Sequence, residues 1–504
     1  MSLAPAAQAQ AQQTGAEAPS GPPVRPTLSG CRVALPGGAD MDSGLAGQYL
    51  EDSQGAPFLV APSLTLRQTY TDNVTLAPDS DKESDFVTQL IPSLSLCRVG
   101  PRLRTQVDYQ ATANYYWNDQ DRNDIYHTLN ADSTATLVRN RLFVDLGALY
   151  EQQTISNRGA FADDLALDTG NRSDAITLRA SPYLVQDLGP LGNSVTRVGV
   201  RRTVYDEDIP NITRQSGSFQ LVSPEAADPV SWLASVQSER VERSNIDRSQ
   251  YFDNAFLELG YRLTGRLQLI GRGGAETESR ADGTQDRFGA EYWEAGFRWT
   301  DVRTSIEARY GRRFFGDTYF AAITRRGSRL TSSLSYRETQ QISDRFVVLS
   351  PEDLGLPSQI VDPDTGEVFD LPGFIVEDNE VFVSKRATAN TTYRTGRSTI
   401  RLTAFHDRRE FQVAEDEEER YGADAYWRWQ WLPRTAVIPR VSWERIDFRD
   451  DRSDTIRGAR ISLAHLIGRK TQAGATIRRQ ERTSNESGND YTENAIILEA
   501  TRMF

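Results

Sequence analysis

The sequence has few cysteines, few histidines and no long hydrophobic run. It contains 2 cysteines and 3 histidines among 504 residues. These are too few for a structural zinc site with four Cys or His ligands, since His127, His406 and His465 lie in unrelated segments. No stretch approaches the ~20 apolar residues that a membrane-spanning helix requires, which excludes a helical membrane protein. We predict no metal and no cofactor.

Basic residues are also fewer than acidic residues. The chain has 57 Lys and Arg against 70 Asp and Glu, a net charge of −13. A surface that reads nucleic acid needs a basic excess, so no nucleic-acid partner is expected. No nucleophile signature accompanies any of the three histidines, so the sequence predicts no catalytic residue and no enzyme.

The two cysteines, Cys31 and Cys97, leave two interpretations open. In an oxidising periplasm they can form one disulfide, whereas two free thiols are the alternative. Residues 1–57 are rich in Ala, Gln, Pro and Gly and show no sustained periodicity. We predict a flexible periplasmic extension there, and residues 1–12 resemble the tail of a secretory signal peptide.

From Phe58 onward, apolar and polar residues alternate. Between residues 103 and 117 every other residue is apolar or small, and the residues between them are polar. This is the two-residue period of a β-strand with one apolar and one wet face, and the segment is long enough to cross a bilayer. The alternating residues are Leu103, Val107, Tyr109, Tyr115 and Trp117 on one face and Arg104, Gln106, Asp108, Gln110 and Asn114 on the other.

The same pattern recurs along about 450 residues, which is too long for the short strands of a soluble β-sandwich. A face that carries charges such as Arg401 and Asp424 cannot form a dry core, because burying unpaired charge is too costly. In a bilayer the apolar face meets lipid and the polar face meets a hydrated interior. The predicted fold is therefore all-β: a closed antiparallel transmembrane β-barrel over residues 58–504, in the outer membrane of a Gram-negative bacterium.

Short turns and longer polar loops alternate along the chain, and the predicted loops include 153–171 and 243–248. Counting the strands between them gives 22, within a range of 16–22 because the segments 213–223 and 318–326 are weak. An even count places both ends of the barrel in the periplasm, with the longer loops outside the cell. The terminal Phe504 resembles the signal by which such barrels are inserted. The expected partners are outer-membrane lipid, lipopolysaccharide and the barrel-insertion machinery.

Charged residues on the polar face are the candidate pore-lining residues, because rings of charge set the ion preference of channels. The alternative is a paired network that braces the wall. The candidates are Arg104, Asp108, Glu258, Arg262, Glu307, Arg309, Arg401, Asp424, Arg428 and Arg478.

Aromatic residues at strand ends are the candidate membrane-interface residues. Trp427, Trp429 and Trp431 occupy alternate positions of one predicted strand, beside a turn. Trp117 and Phe504 lie at the ends of two other predicted strands. An aromatic girdle is favoured over a sugar-stacking platform. The longest loop, 343–380, has three open interpretations: an inward constriction, a surface lid bridged to lipopolysaccharide, and a solvated loop.

Two segments resemble a known family: SLTLRQTYTDNVTLAPDSDKESDFVTQLIPSLSL at 63–96 and YGRRFFGDTYFAAITRRGSRLTSSLSYRE at 310–338. They are similar to the opening hairpin and a mid-barrel motif of β-barrel porins that accompany PEP-CTERM and exopolysaccharide systems. The resemblance implies a pore for exopolysaccharide export or for polar solutes, with polysaccharide-export components as partners. The alternative is a structural barrel with an occluded lumen. A TonB-dependent receptor is disfavoured, because 57 N-terminal residues are too few for its plug domain.

Overall fold

The structure is a computed structural model, and it describes only part of the chain. The described residues are 57–504, except 157, 163, 207–208, 225–227, 280–283, 343–358, 362–367, 371–380, 413–415 and 469. The predicted extension 1–57 therefore lies outside the described residues apart from Pro57, as does most of the loop 343–380.

The described chain is built almost entirely of strands. The first half of the barrel comprises β1 Phe58–Thr71, β2 Asp85–Val99, β3 Leu103–Tyr116, β4 Asp124–Val138, β5 Leu142–Thr154, β6 Arg172–Asp187, β7 Asn193–Tyr205, β8 Ile212–Val222, β9 Val230–Arg243, β10 Ile246–Arg262 and β11 Leu267–Ser279. The second half comprises β12 Gln285–Thr300, β13 Thr304–Arg313, β14 Gly316–Arg326, β15 Leu330–Ile342, β18 Val381–Arg394, β19 Ser398–Phe411, β20 Glu417–Leu432, β21 Thr435–Asp447, β22 Ser453–Leu466, β23 Thr471–Ser484 and β24 Tyr491–Met503.

A small hairpin, β16 Gln359–Val361 with β17 Val368–Asp370, forms a separate two-stranded sheet. Two 3-10 turns, Gln120–Arg122 and Gly189–Leu191, lie in connections between strands. No helix in the described part of the chain has the length and hydrophobicity needed to cross a bilayer.

The barrel strands form one closed antiparallel sheet. Each strand pairs with its neighbours in the chain, β15 pairs with β18, and β1 pairs with β24. Closure leaves no sheet edge, so all backbone N–H and C=O groups of the strands can bond within the sheet, as a hydrocarbon environment requires. The predicted closed barrel of 22 strands is confirmed.

The two faces of the sheet differ as the alternation predicts. On β23 the outward-facing Ile477 is 66% exposed, whereas its neighbours Thr476 and Arg478 are 5% and 4% exposed. On β24 the outward-facing Ile496 and Leu498 are likewise exposed. The exposed apolar side chains form the lipid-facing surface, and the buried polar ones form the inner face.

The seam between β1 and β24 is joined by polar side chains as well as by the backbone. On the inner face, the Thr65 and Thr501 hydroxyls lie 2.7 Å apart, and the Arg67 guanidinium donates to Glu499 at 2.8 Å. Thr71 donates to Glu493 at 2.9 Å. The seam is therefore joined by side-chain contacts at three levels of its inner side.

The connections differ from the prediction at three places. The loop predicted at 243–248 is shorter in the structure, because β9 ends at Arg243 and β10 begins at Ile246, which leaves only Ser244 and Asn245 as a turn. Strands that extend beyond the bilayer have water on both faces, so polar residues there do not mark a loop. A two-residue turn at Phe314 and Phe315 was not predicted, nor was the connection between the end of β8 at Val222 and the start of β9 at Val230.

One turn depends on a glycine. Gly192, which follows the turn between β6 and β7, has a φ of 106°, and a Cβ on it would lie 1.9 Å from the carbonyl oxygen of Val222. Only glycine tolerates that backbone conformation easily, and the neighbouring backbone cannot move away without breaking the β7–β8 ladder.

We predict that Gly192→Ala destabilises the barrel by about 1–3 kcal/mol, because it combines an unfavourable φ with a backbone clash. The measurement is equilibrium unfolding in urea in detergent micelles. Gly217→Ala, on neighbouring β8, is the matched control, since a Cβ there meets nothing within 4 Å. Equal stability of the two variants would contradict the explanation.

Candidate functional site

The inner face of the barrel holds all ten candidate pore-lining residues. Arg104 and Asp108 lie on β3, Glu258 and Arg262 on β10, and Glu307 and Arg309 on β13. Each occupies one of the alternate strand positions whose side chains lie on the inner face. The remaining four are Arg401 on β19, Asp424 and Arg428 on β20, and Arg478 on β23. The structure spreads them around the barrel, and their role in lining a pore stays a prediction.

Three of these residues belong to a charge cluster on β10–β13. Glu258 accepts from Arg272 at 2.6 Å, Glu307 accepts from Arg298 at 2.9 Å and also contacts Arg309. Arg309 lies 3.0 Å from Glu294. Acidic and basic side chains therefore alternate from strand to strand. The cluster comprises Glu258, Arg272, Glu294, Arg298, Glu307 and Arg309.

Pairing is what allows this cluster to be buried. Glu307 and Arg309 are each 5% exposed. Removing one partner of a buried pair costs about 3–5 kcal/mol, because the other charge stays desolvated. The cluster thus supports the bracing interpretation for these residues.

Other candidates are less buried and have local partners. Arg262 lies 3.1 Å from Asp228, and Asp424 accepts from Arg440 at 2.6 Å. Asp108 accepts from Ser95 at 2.5 Å. These contacts join neighbouring strands, and none of them gathers charges into a catalytic arrangement.

The candidate interface residues all face outward. Trp427, Trp429 and Trp431 are 41%, 37% and 51% exposed at the turn end of β20, and the rings of the first two are stacked at 5.9 Å. Trp117 follows β3 at the opposite end of the barrel, and its indole N–H donates to Thr88 at 3.0 Å. Phe504 is 61% exposed beside the seam. These positions are those of two aromatic belts, although their contact with a membrane stays a prediction.

Cys97 lies on the inner face of β2, is 6% exposed and is disulfide-bonded. Its predicted partner, Cys31, lies outside the described residues, so the pairing stays a prediction.

The connection 155–171 between β5 and β6 lies within the long outward-facing loop that the sequence predicts at 153–171, but its contacts with the inner wall were not predicted. Its described residues lie against the inner wall. Tyr116 and Asn114 of β3 donate to the carbonyl oxygens of Ala166 and Leu165 at 3.2 and 2.6 Å. On the far side of the seam, Gln480 of β23 donates to the Phe161 carbonyl at 2.9 Å. We call this segment the inner loop.

The inner loop is held by both charge and apolar packing. Asp164 lies 3.9 Å from Arg67 and 3.5 Å from Arg478, the arginines that pair with Glu499 and Glu493 at the seam. Ala166 and Leu167 are fully buried. Ala166 packs in a cluster with Val74, Val87 and Tyr116, and Leu167 packs with Leu76 and Tyr491.

The charge state of Asp164 follows from these contacts. Burial raises the pKa of its carboxyl group, but attraction to Arg67 and Arg478 and a hydrogen bond from the Ala166 amide lower it more. The net result is a pKa below the ordinary value, so the carboxylate stays charged beneath the loop.

The loop's sequence contains a signal that could have identified it. Phe161, Leu165 and Leu167 with their alanine neighbours make an apolar run, broken only by Asp163 and Asp164, in a segment that otherwise reads as an exposed loop. Such a run is stable only where another surface covers it. The partners on β1, β3, β23 and β24 are distant in sequence and could not be predicted from it.

Comparison with solved structures supports the fold. The FrpB iron transporter of Neisseria meningitidis (F3-3 variant) is 9% identical with a TM-score of 0.51 over 88% of this chain and 81% of that chain. Its F5-1 variant is 10% identical with a TM-score of 0.50 over 88% and 82%. A variant of the ferric enterobactin receptor PfeA of Pseudomonas aeruginosa is 8% identical with a TM-score of 0.50 over 88% and 81%.

No family model matches the chain, and no curated protein sequence matches it. The chain has the fold of an outer-membrane β-barrel like those of receptors and transporters, and the predicted outer-membrane localisation agrees with that fold.

We predict that Asp164→Asn loosens the inner loop by about 3–5 kcal/mol, because it removes the charge between two buried arginines. The measurement is the rate of trypsin cleavage after Arg158 in the folded barrel. Asp168→Asn is the matched control, since Asp168 is more exposed and lies 3.7 Å from Arg122. Equal cleavage of the two variants would show that Asp164 does not hold the loop.

The lowered pKa of Asp164 also predicts a pH dependence. Its contribution to loop docking is complete above the unfolded pKa of about 3.9, and it is lost as pH falls through the lower folded pKa. Hydrogen exchange of the Ala166 amide, corrected for the intrinsic rate, should therefore show constant protection from neutral pH to about pH 5. Loss of protection within that interval would be inconsistent with the assignment.

Proposed function

We propose that this barrel is an outer-membrane pore that passes polar solutes. The observation that carries the proposal is the inner face, which bears charged and hydroxyl side chains on every strand from β1 to β24 in the described barrel. A polar inner face is typical of barrels that enclose a water-filled channel.

The inner loop supports the same function. It lies on the inner wall at the loop end of the barrel and contacts strands on both sides of the seam. A segment fixed there narrows the passage, and its charged partners Asp164, Arg67 and Arg478 stand beside that passage. The loop thus provides a constriction with a defined set of side chains.

A narrower candidate function is export of exopolysaccharide. It rests on the resemblance of the segments 63–96 and 310–338 to porins of exopolysaccharide and PEP-CTERM systems. In the structure the first segment forms β1, its loop and β2, and the second forms the end of β13 through β15. The alternative remains a barrel of the cell surface whose lumen is occluded.

We predict that the purified protein gives stepwise conductance in planar lipid bilayers. Deleting residues 158–168 should enlarge each step, because the inner loop no longer narrows the lumen. Deleting residues 486–488 from the exposed β23–β24 loop is the control and should leave the step size unchanged.

Absence of conductance from both the natural protein and the loop deletion would refute the pore. Conductance from the deletion alone would favour the occluded barrel. Release of neutral sugars of increasing size from proteoliposomes then measures the width of the passage, and passage of oligosaccharides is required for the export candidate.

A further inference from the structure

The inner face carries an apolar patch beside the short turns of β21 and β22. The inward-facing positions there are Ala436, Ile438, Ala464 and Leu466, which form a packed cluster with Tyr426. Ala436 and Ala464 lie directly opposite each other on the two strands. An apolar patch of this kind usually marks a surface that another segment or molecule covers. We call these four residues the mouth patch.

The mouth patch is covered. Ala436 and Ala464 are 0% and 1% exposed. Side chains of equal size show that the cover differs between sectors of the wall: Ser462 of β22 and Ser63 of β1 are buried on the inner face, whereas Ser333 of β15 is only half-buried near the same end. The inner loop does not supply this cover, because it lies at the other end of the barrel.

The N-terminal part of the chain joins the wall close to this sector. Cys97 faces inward near the turn end of β2 and is disulfide-bonded, and Cys31 is the only other cysteine in the sequence. Pro57, which precedes β1, accepts a backbone hydrogen bond from Val99 at 2.8 Å. A bridge from Cys31 to Cys97 therefore fixes both ends of the segment 32–56 at one place, the turn end of β1 and β2.

The segment 32–56 has the composition and the length to reach the mouth patch. Its sequence is RVALPGGADMDSGLAGQYLEDSQGA, which carries large apolar residues that residues 1–24 mostly lack. Fully extended, it spans about 80 Å. The mouth patch lies three to four strands from β1 around the barrel, which is about 15–20 Å. The large apolar residues of the segment are Val33, Leu35, Met41, Leu45, Tyr49 and Leu50.

We propose that the segment 32–56 enters the barrel and docks on the mouth patch, held there by a bridge between Cys31 and Cys97. Docking removes the apolar side chains of both surfaces from water, which stabilises the contact. The bridge lowers the entropic cost of docking, because both ends of the segment are already fixed beside the patch. The extension is thus part of the lumen wall at the short-turn end, and this holds whether or not the barrel conducts.

The test is the rate at which a water-soluble maleimide labels a cysteine placed in the mouth patch. In Ala464→Cys under non-reducing conditions, Cys31 and Cys97 remain bonded and the new thiol is the only free one, so labelling should be slow. Removal of residues 1–56, combined with Cys97→Ser to leave a single thiol, should raise the labelling rate by about tenfold or more.

The matched control places the cysteine outside the covered sector. Ser333→Cys lies on the inner face near the same end of β15, and it should be labelled at equal rates with and without residues 1–56. The mobility of unheated samples on SDS gels verifies that each variant is folded.

A full-length variant separates the role of the bridge from that of the deletion. Cys31→Ser with Cys97→Ser, in the Ala464→Cys chain, should be labelled faster than the bridged chain, because docking then bears the full cost of loop closure. Mass spectrometry of a non-reduced digest should find the peptides of Cys31 and Cys97 joined.

Three results overturn the inference. The first is labelling of Ala464→Cys in the bridged chain as fast as that of Ser333→Cys. The second is slow labelling that persists after residues 1–56 are removed, since other residues then cover the patch. The third is a natural protein in which Cys31 is not bonded to Cys97. The labelling requires no conductance, so each of these results leaves the proposed pore intact.

Discussion

The structure depends on the two-residue alternation of its strands. Each strand must present apolar side chains to lipid and polar ones to the interior, and a slip of one residue would exchange the two faces. The contrast between Ile477 and Arg478 shows how sharp this separation is. The register must be correct on every strand for the sheet to close. The inner face is polar, and the inner loop can dock on it, only in that register.

Charge inside the barrel is held in pairs. On β10–β13, acids and arginines of the same and neighbouring strands stabilise one another, so that residues such as Glu307 and Arg309 can be buried. At the seam, Arg67 pairs with Glu499 and Arg478 pairs with Glu493. The same side-chain chemistry thus braces the wall and joins its first strand to its last two.

The fold could be predicted from sequence because its signal is local. Runs such as 103–117 specify which side chains face outward without reference to any other strand. The weak segments 213–223 and 318–326 were also strands, as β8 and β14 show. The loop at 243–248 was predicted too long, because strands there extend into water and the alternation no longer distinguishes the two faces.

The candidate site could be predicted only in part, since its contacts join distant segments. The alternation placed Glu258, Arg309 and Arg478 on the polar face, but it could not show which charges are neighbours. The contacts of Asp164 with Arg67 and Arg478 are likewise non-local.

The seam has a kinetic consequence. The paired hydroxyls of Thr65 and Thr501 are separated by 436 residues. The edge of β1 that pairs with β24 therefore stays unbonded until the last strand is in place. Contacts so distant along the chain form slowly, because loop-closure entropy must be overcome first. Until synthesis reaches β24, the nascent chain carries an open strand edge, which is the part of the molecule most prone to aggregation.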